Sequence, residues 1–370
     1  MHIAASPGWE AWSALADRLP ADLDLDELAR SSKALQRVRG NGISDGAGLL
    51  RLCLAHGPGG MSLQETAAWA HLAGIAELTA QSLNERLHRS VGFLAGLLHR
   101  LLARRTASQP LLWPGRQIRI VDGSSLSQPG SKGTDWRLHA VYDLGRGGFS
   151  HLEVTDRRGA ESLLRCEPVA GEVLIADRGY AKAAELRACI EPSGPHARDV
   201  IVRVGWKALA LQDLHGDRFS LIAQMQAMQG ETGPREWTVH AVTGPASRRC
   251  LLPLRVLVMP LPPEQAAANR RKVEWKARKH QDRLDPRSLI AAGFVVLVTS
   301  LPAEIPAWQI FAAYRLRWQI ELMIKWLKSV LHIDDLPTRT PGGSLCWLQA
   351  HLILALLNED IEADFLESSP

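Results

Sequence analysis

The sequence lacks several features that mark other classes of protein. It has no run of about 18 uninterrupted apolar residues, so we expect no membrane-spanning helix. Its 5 cysteines show no CxxC or Cys/His spacing, which offers no zinc site and is typical of a reducing cytoplasm. The start, MHIAASPGWEAW, lacks a basic flank before an apolar core, so we expect no secretory signal and a cytoplasmic location. The glycines lack the GxxxxGK[ST] arrangement of a nucleotide-binding P-loop.

The composition is that of an ordinary globular protein. With 370 residues, of which 46% are hydrophobic and 22% charged, the chain has room for two or three domains. The net charge of +4 decides little, but residues 269–283 concentrate basic side chains around only two acids. Such a run is typical either of a solvated helix face or of a surface that binds the phosphates of a nucleic acid.

The region 1–110 has a helical pattern, with Leu and Ala recurring at spacings of three and four. Ser62 and Glu65 form the pattern of a capping box, Gly74 predicts a break, and a second helix is predicted from about Thr79. Two interpretations fit this pair of helices: a helix-turn-helix that reads DNA, or two ordinary helices of an all-α domain.

After this region the pattern changes to alternating and continuous apolar runs, which predict strands in RQIRIVDGSSL, DWRLHAVYDL, FSHLEVTD, GEVLIADRGY and GFVVLVTSLP. Their order with the intervening helices predicts an α/β fold with a mixed sheet. We assign this core to 111–204 and 291–345, with a β-rich insertion subdomain at 205–290 and a short C-terminal helix and tail at 346–370.

Three acids occupy special positions in these elements. Asp122 and Asp177 are each predicted at the end of a strand, and Glu321 lies in the late helix YRLRWQIELMIKWLKS. An Asp often ends a strand only because it begins a turn, but two such acids after neighbouring apolar strands can reach one ion. Carboxylate oxygens suit Mg²⁺ or Mn²⁺, and two such ions are the usual arrangement for phosphoryl transfer.

The late helix places cations and an aromatic ring beside its acid. At 100° per residue, Tyr314, Arg317 and Lys328 lie within roughly 40° of Glu321, whereas Trp318 stands off that stripe. A neighbouring cation lowers the pKa of a carboxyl group, and the same cations can bind a DNA phosphate. A surface ion-pair helix is the alternative, but it would not need the aromatic residues, so we favour a functional stripe.

The spacing Tyr314-(2)-Arg317-(3)-Glu321-(6)-Lys328 resembles the YREK signature of the insertion-sequence-four (IS-four) family of bacterial DDE transposases. The contexts VDGSSL and VLIADRGY also resemble the first and second acid regions of that family. The resemblance implies a ribonuclease-H-like catalytic core, a β-rich insertion between the second and third acids, and an all-α N-terminal domain that binds the ends of the element.

The resemblance also implies roles for individual residues. The catalytic metal ligands would be Asp122, Asp177 and Glu321. The DNA contacts would be Tyr314, Arg317, Lys328, Arg178 and, against a displaced base, Trp318. One feature departs from the family: some relatives have a Trp at the start of the strand before the signature helix, where this chain has Gly293–Val295.

The implied reaction is cleavage of the inverted terminal repeats of an insertion sequence and their joining to target DNA, with double-stranded DNA as the partner and two Mg²⁺ or Mn²⁺ ions as cofactors. Because the reaction acts on two paired ends of the element, we expect a homodimer on DNA, associated with the nucleoid of a bacterium. The alternatives are a ribonuclease-H-like nuclease without strand transfer and a non-catalytic, transposase-derived DNA-binding repressor.

Overall fold

The computed structural model describes residues 19–20, 22–35, 42–104, 113–192, 196–244, 249–329 and 331–368, with the backbone alone within 360–368. The stretch MHIAASPGWEAW, for which we expect no secretory signal, lies outside the described residues, as do parts of the predicted helical region 1–110.

The N-terminal part of the chain is helical, as its periodicity predicts. The helices are α1 (Leu25–Ser31), α2 (Gly46–His56), α3 (Leu63–Leu72), α4 (Ala80–Arg89) and α5 (Val91–Ala103). The predicted capping box is confirmed: the Glu65 amide donates to Ser62 Oγ over 3.2 Å, and the Ser62 amide donates to Glu65 Oε2 over 2.8 Å. Gly74 follows α3 with a φ of +67°, a conformation that favours glycine, and Thr79 caps α4.

A nine-stranded mixed sheet follows, in the order β3-β2-β1-β4-β5-β9-β8-β7-β6. Its first five strands are β1 (Gln117–Leu126), β2 (Trp136–Asp143), β3 (Gly148–Asp156), β4 (Glu172–Ala176) and β5 (Asp199–Arg203), with α6 (Ala183–Ile190) between the last two. Strands β1, β2 and β3 are antiparallel, whereas β4 and β5 run parallel to β1. This arrangement is that of a ribonuclease-H-like core and confirms the predicted fold class.

The described part of segment 205–290 contains strands, which continue the same sheet, and a larger share of helix than the predicted β-rich insertion. It contains β6 (Leu211–Gln212), α7 (Leu221–Ala227), β7 (Arg235–Thr243), β8 (Cys250–Pro260), α8 (Pro263–His280) and α9 (Pro286–Ala291). Strand β9 (Phe294–Thr299) pairs antiparallel with both β5 and β8, so it joins the core strands to the inserted ones. The basic run lies on α8.

Hydrophobic cores cover both faces of the sheet. Along β4, Val173 and Ile175 pack into one core with the N-terminal helices, while Leu174 and Ala176 pack into the other. All five residues of β4 are buried. Burial on both faces explains why this strand is a continuous apolar run without alternation.

Two predictions about the C-terminal helices are wrong. The single late helix is two, α10 (Ala307–Arg315) and α11 (Trp318–Ser329). The amides of Leu316 and Arg317 bond to carbonyls three residues back, at 3.0 and 3.1 Å, and this tighter turn separates the two helices.

The C-terminal helix is also not short, because α12 spans Pro341–Ser368, or 28 residues. Its residues 346–357 are all buried among the N-terminal helices and the sheet. This burial extends the helix because it provides apolar neighbours on every side. No described helix, α12 included, is apolar enough over its length to cross a membrane.

Candidate catalytic site

The first two acids lie side by side because of the register of β1 and β4. The last pair of this parallel ladder is Val121 with Ala176, so Asp122 and Asp177 are the next residue on each strand. The prediction that Asp122 ends its strand is wrong, because β1 continues to Leu126. It continues because its other edge stays paired with antiparallel β2, where Asp122 lies opposite Ala140.

The turn between α10 and α11 brings the signature residues to the same edge. The hydroxyl of Tyr314 donates to Asp177 Oδ1 over 3.3 Å. Arg317 Nη1 lies 2.7 Å from Glu321 Oε1, one helical turn further on. At the far end of α11, Lys328 Nζ donates to the carbonyl oxygen of Ser125 on β1, at 3.2 Å. The stripe predicted on one helix therefore faces β1 and β4 although the helix is broken.

Arg317 is the positive charge that the three acids share. Its pKa is raised by Tyr314, by its ion pair with Glu321 and by the charge of Asp177, against the opposing effect of burial. Its side chain is 16% exposed, whereas that of Glu321 is 52% exposed. The Nε atom of Arg317 is buried and has no hydrogen-bond partner among the described residues. This guanidinium is therefore held in the site more by charge than by a full set of hydrogen bonds.

The surroundings of Asp122 shift its pKa. Burial raises its pKa to about 6. The backbone amide of Gly123 and the charge of Arg317 oppose this rise, while the negative charges of Glu321 and Glu161 add to it. Negative charges therefore converge on Asp122 from two other segments of the chain.

These residues fit a divalent cation in charge and in ligand chemistry. Their free ligands are carboxylate oxygens, which hard cations such as Mg²⁺ and Mn²⁺ prefer. In the part of the chain that the structure describes, no three His, Cys, Asp or Glu side chains are grouped so as to hold a metal ion. Glu321 faces Arg317 instead. The metal centre of Asp122, Asp177 and Glu321 therefore stays a prediction.

The two other predicted DNA contacts open onto two different clefts. Trp318, 51% exposed at the start of α11, lines one cleft together with Arg203 and Tyr314. Arg178 lines a cleft of about 570 Å³, as do Lys272 and other residues of α8. Arg203, the last residue of β5, lines both clefts.

The position that is Trp in some relatives is occupied here by Phe294 and Val295, at the start of β9. Phe294 lines the cleft of Arg178, and Val295 lines the cleft of Trp318. An aromatic ring is therefore present at this strand, but on the side of the basic helix α8.

Some residues at the site carry no signal in the sequence. Glu161 lies in the loop between β3 and β4, and Arg203 ends β5. Neither follows a motif, and only the path of the loop and the order of the strands bring them to the two acids. Tyr180, the last residue of the second acid region VLIADRGY, is buried at the same edge.

The chain is similar to known proteins along most of its length. A family model described as "Transposase DDE domain" matches residues 113–357, which include all three acids. The putative transposase InsL of insertion sequence element IS186A from Escherichia coli (strain K12) is 37% identical over 360 residues, covering 97% of this chain and 96% of that protein. The transposase of element IS421 from Escherichia coli is 37% identical over 361 residues, with the same coverage.

Two more distant proteins are also similar. The transposase of element IS231F from Bacillus thuringiensis subsp. israelensis is 24% identical over 367 residues, covering 90% of this chain and 76% of that protein. A piggyBac transposase synaptic complex with hairpin DNA has a TM-score of 0.45 and 8% identity, covering 96% of this chain and 76% of that one.

The fold and the match to this family define an enzyme of the ribonuclease-H-like class that cuts and joins DNA. The chain belongs to the family of DDE transposases, and its similarity to insertion-sequence transposases along nearly its whole length confirms the resemblance to the IS-four family.

Proposed function

We propose that this transposase binds the inverted terminal repeats of its own insertion sequence, cleaves them, and joins them to target DNA, with Asp122, Asp177 and Glu321 as ligands of two Mg²⁺ or Mn²⁺ ions. The observation that carries the proposal is the pairing of Val121 with Ala176, which sets Asp122, on β1, beside Asp177, the residue that directly follows β4. Strand and helix positions, unlike loop positions, keep catalytic groups in a precise geometry.

The described contacts suggest how the chain's own residues act. Tyr314 orients Asp177 through its hydroxyl, and Arg317 holds Glu321 near Asp122. Divalent ions held by the three acids would supply an activated water and would stabilise the attacking and departing oxygens of phosphoryl transfer. The guanidinium of Arg317, which pairs with Glu321, would bind a DNA phosphate in bidentate fashion. Lys328, at the other end of α11, binds a second phosphate.

A wider DNA surface extends from this site over the inserted segment. Helix α8 presents Lys272 and Lys276 to the cleft that Arg178 lines, and Lys279 lies 5.0 Å from the ring centroid of the exposed Trp275. Basic side chains interleaved with aromatic rings suit the phosphates and exposed bases of DNA. We propose that Trp318 stacks against a base displaced at the cleavage site.

The test is cleavage of a labelled terminal-repeat fragment by the purified protein in the presence of Mg²⁺. The wild-type protein should nick the element end and transfer it to a plasmid, whereas Asp177→Asn should do neither but should still shift the fragment in a gel. Substantial cutting by Asp177→Asn would overturn the site assignment. Cutting without strand-transfer products would identify a nuclease, and end binding without any cutting would identify a repressor.

We propose that the protein acts as a homodimer on paired ends. Mass photometry with the terminal-repeat fragment should show two protein chains and two DNA fragments in one complex. A complex containing one chain and one fragment under cleavage conditions would contradict this.

A further inference from the structure

Three clefts adjoin one another between the catalytic site and the inserted segment. The cleft of Trp318, about 660 Å³ in volume, contains Tyr314 of the catalytic site and also Arg203. Arg203 lines the cleft of Arg178 as well, and the lining of that cleft includes Trp206. Trp206 lines in turn a third cleft of about 840 Å³, beside β6 and the start of α7. We call this path of three clefts the basic groove.

The basic groove is lined by cations without acids. The whole chain has 39 Asp and Glu against 43 Lys and Arg, so clefts with both signs of charge are the expectation. Among the described residues, however, no Asp or Glu lines any of the three clefts. A cleft between the end of α2 and α12, by contrast, has two acids in its lining. The cations of the groove include Arg315 near the catalytic site, Lys272 in the middle, and Arg218 and Arg249 at the far end.

Several of these cations have no partner of opposite charge. The side chains of Arg178, Arg203 and Arg218 form no ion pair or hydrogen bond with any described residue. Burial and then the like charge of Arg203 lower the pKa of Arg178, so the two guanidinium groups repel each other. Unpaired cations that converge on one groove attract an anion of extended shape, because it relieves the repulsion at several points.

The junction between the second and third clefts is a fixed group of cations on an aromatic ring. Lys207 Nζ lies 4.5 Å and Arg287 Cζ lies 4.6 Å from the ring centroid of Trp206. Asp285 pairs with Lys207 at 3.1 Å and with Arg287 at 2.9 Å. The indole Nε1 of Trp206 donates to Ser288 Oγ over 3.4 Å. One acid therefore faces two cations, and the junction keeps a net positive charge.

Aromatic rings occur along the same groove. Trp318 is 51% exposed in the first cleft, and Trp275 is 58% exposed in the second, which Phe294 also lines. Phe219 lines the third cleft. In a duplex each base stacks on its neighbours, whereas the bases of an unpaired strand present their faces to protein rings. Clefts of about 300–1,000 Å³ enclose single small ligands, so these suit individual bases and exclude a duplex.

We propose that the basic groove binds a single strand of DNA, which leaves the duplex at the catalytic site and passes Arg203 and Trp206 to reach Arg218. Its phosphates contact the unpaired cations, and its bases stack on the exposed rings. This inference rests on the proposed function, since the strand begins where the DNA is cut. It goes further because the strand is unpaired over several nucleotides, whereas the proposed function needs only one displaced base.

The experiment measures binding of a fluorescent oligothymidine to the full-length protein without Mg²⁺, by fluorescence anisotropy at several salt concentrations. A length of about 12 nucleotides lies within the usual site size of single-strand-binding domains. Arg218→Ala should weaken binding and reduce the slope of log affinity against log salt by about 0.7, the share of one phosphate of a single strand. Trp275→Ala should weaken binding by roughly 5–100-fold, the effect of losing one stacked base, and Trp275→Phe should retain most of the affinity.

The matched control is Arg271→Ala. Arg271 is exposed on α8, the helix of Trp275, but lines none of the three clefts. This variant should bind oligothymidine like the wild type. A duplex of unrelated sequence is the second control, and Arg218→Ala and Trp275→Ala should leave its affinity unchanged. Equal losses for oligothymidine and duplex would show that these residues bind duplex DNA, and would overturn the proposal.

Terminal-repeat cleavage by the same protein preparations separates this inference from the proposed function. If the wild type cleaves element ends but Arg218→Ala and Trp275→Ala bind oligothymidine as it does, the inference fails and the proposed function stands. If both variants lose oligothymidine binding but the wild type does not cleave, the groove is supported and the proposed function is contradicted. Loss in both variants, with cleavage by the wild type and Arg271→Ala unchanged, supports both.

Discussion

The two ends of the β1–β4 strand pair carry opposite arrangements of charge. At one end, Glu172 lies between two arginines: Arg119 Nη1 is 2.6 Å from Oε1, and Arg198 Nε is 3.4 Å from Oε2. All three residues are buried, and both arginines also donate to backbone carbonyls of the loop before β4. One acid is thus balanced by two cations and is fully hydrogen-bonded.

At the other end, which we call the acid-rich end, the acids are less completely paired. Asp122, Asp177 and Glu321 share Arg317, and the first two are half-buried. Among the described residues only Glu321 of these three forms an ion pair, so the same two strands hold a saturated ion-pair network at one end and incompletely paired acids at the other. The first network is arranged for stability. The second end is where the proposed divalent ions would add positive charge.

The largest expected effect is at the acid-rich end. Asp122→Asn should lower the rate of terminal-repeat cleavage by roughly a thousandfold, because a metal contributes several kcal/mol to the transition state and each 1.4 kcal/mol is about tenfold. Single-turnover assays with Mg²⁺ measure this. The free energy of unfolding should not fall, since the change removes a poorly solvated charge beside other acids. A marked fall in the free energy of unfolding would show that Asp122, like Glu172, serves stability.

The next effect concerns the saturated end and is on stability. Glu172→Gln leaves two buried guanidinium groups unbalanced, so the free energy of unfolding should fall by about 3–5 kcal/mol. Urea denaturation followed by tryptophan fluorescence measures it, with the exposed Glu167→Gln as the control. Cleavage per folded molecule should be retained, and its loss would show that the network also serves the reaction.

A smaller effect is expected from the cations of the acid-rich end. Lys328→Ala should weaken binding of the terminal-repeat fragment and reduce the slope of log affinity against log salt by about 0.9, the share of one phosphate contact. Fluorescence anisotropy at several salt concentrations measures both. Lys325→Ala, an exposed residue off the stripe, should leave the slope unchanged. Equal slopes for the two variants would place Lys328 away from the DNA.

The smallest effect is expected from Tyr314→Phe. This change removes only the hydroxyl that donates to Asp177 over 3.3 Å, a contact worth about 0.5–1.5 kcal/mol. Cleavage should slow by up to about tenfold while the melting temperature changes little. A loss as large as that of Asp122→Asn would show that the hydroxyl takes part in the reaction itself.

Much of the fold could be predicted because its signals are local. The strands of the core are buried on both faces and read as apolar runs, and the capping box of Ser62 and Glu65 marks the start of α3. The edge shared by Asp122 and Asp177 could also be predicted, since parallel strands align their ends. These features depend on neighbouring residues or on simple strand order.

Other features could not be predicted because they depend on distant contacts. Strand β1 runs past Asp122 only because β2 pairs with it there. Helix α12 is long because it finds apolar neighbours in helices far back in the chain. The position of Glu161 depends on a loop fixed by side chains from α6 and its flanks. No periodicity or motif records such tertiary contacts.

The burial of α12 in a core common to the N-terminal helices and the sheet has a mechanical consequence. A large apolar interface of this kind prevents two parts of a protein from swinging against each other. If the N-terminal helices bind an element end, as the resemblance to the IS-four family implies, the distance from that binding site to the catalytic site is fixed. The packing of the apolar core then sets the number of base pairs between the bound sequence and the cleavage site. The DNA, which is more flexible than the protein, must bend to reach both sites.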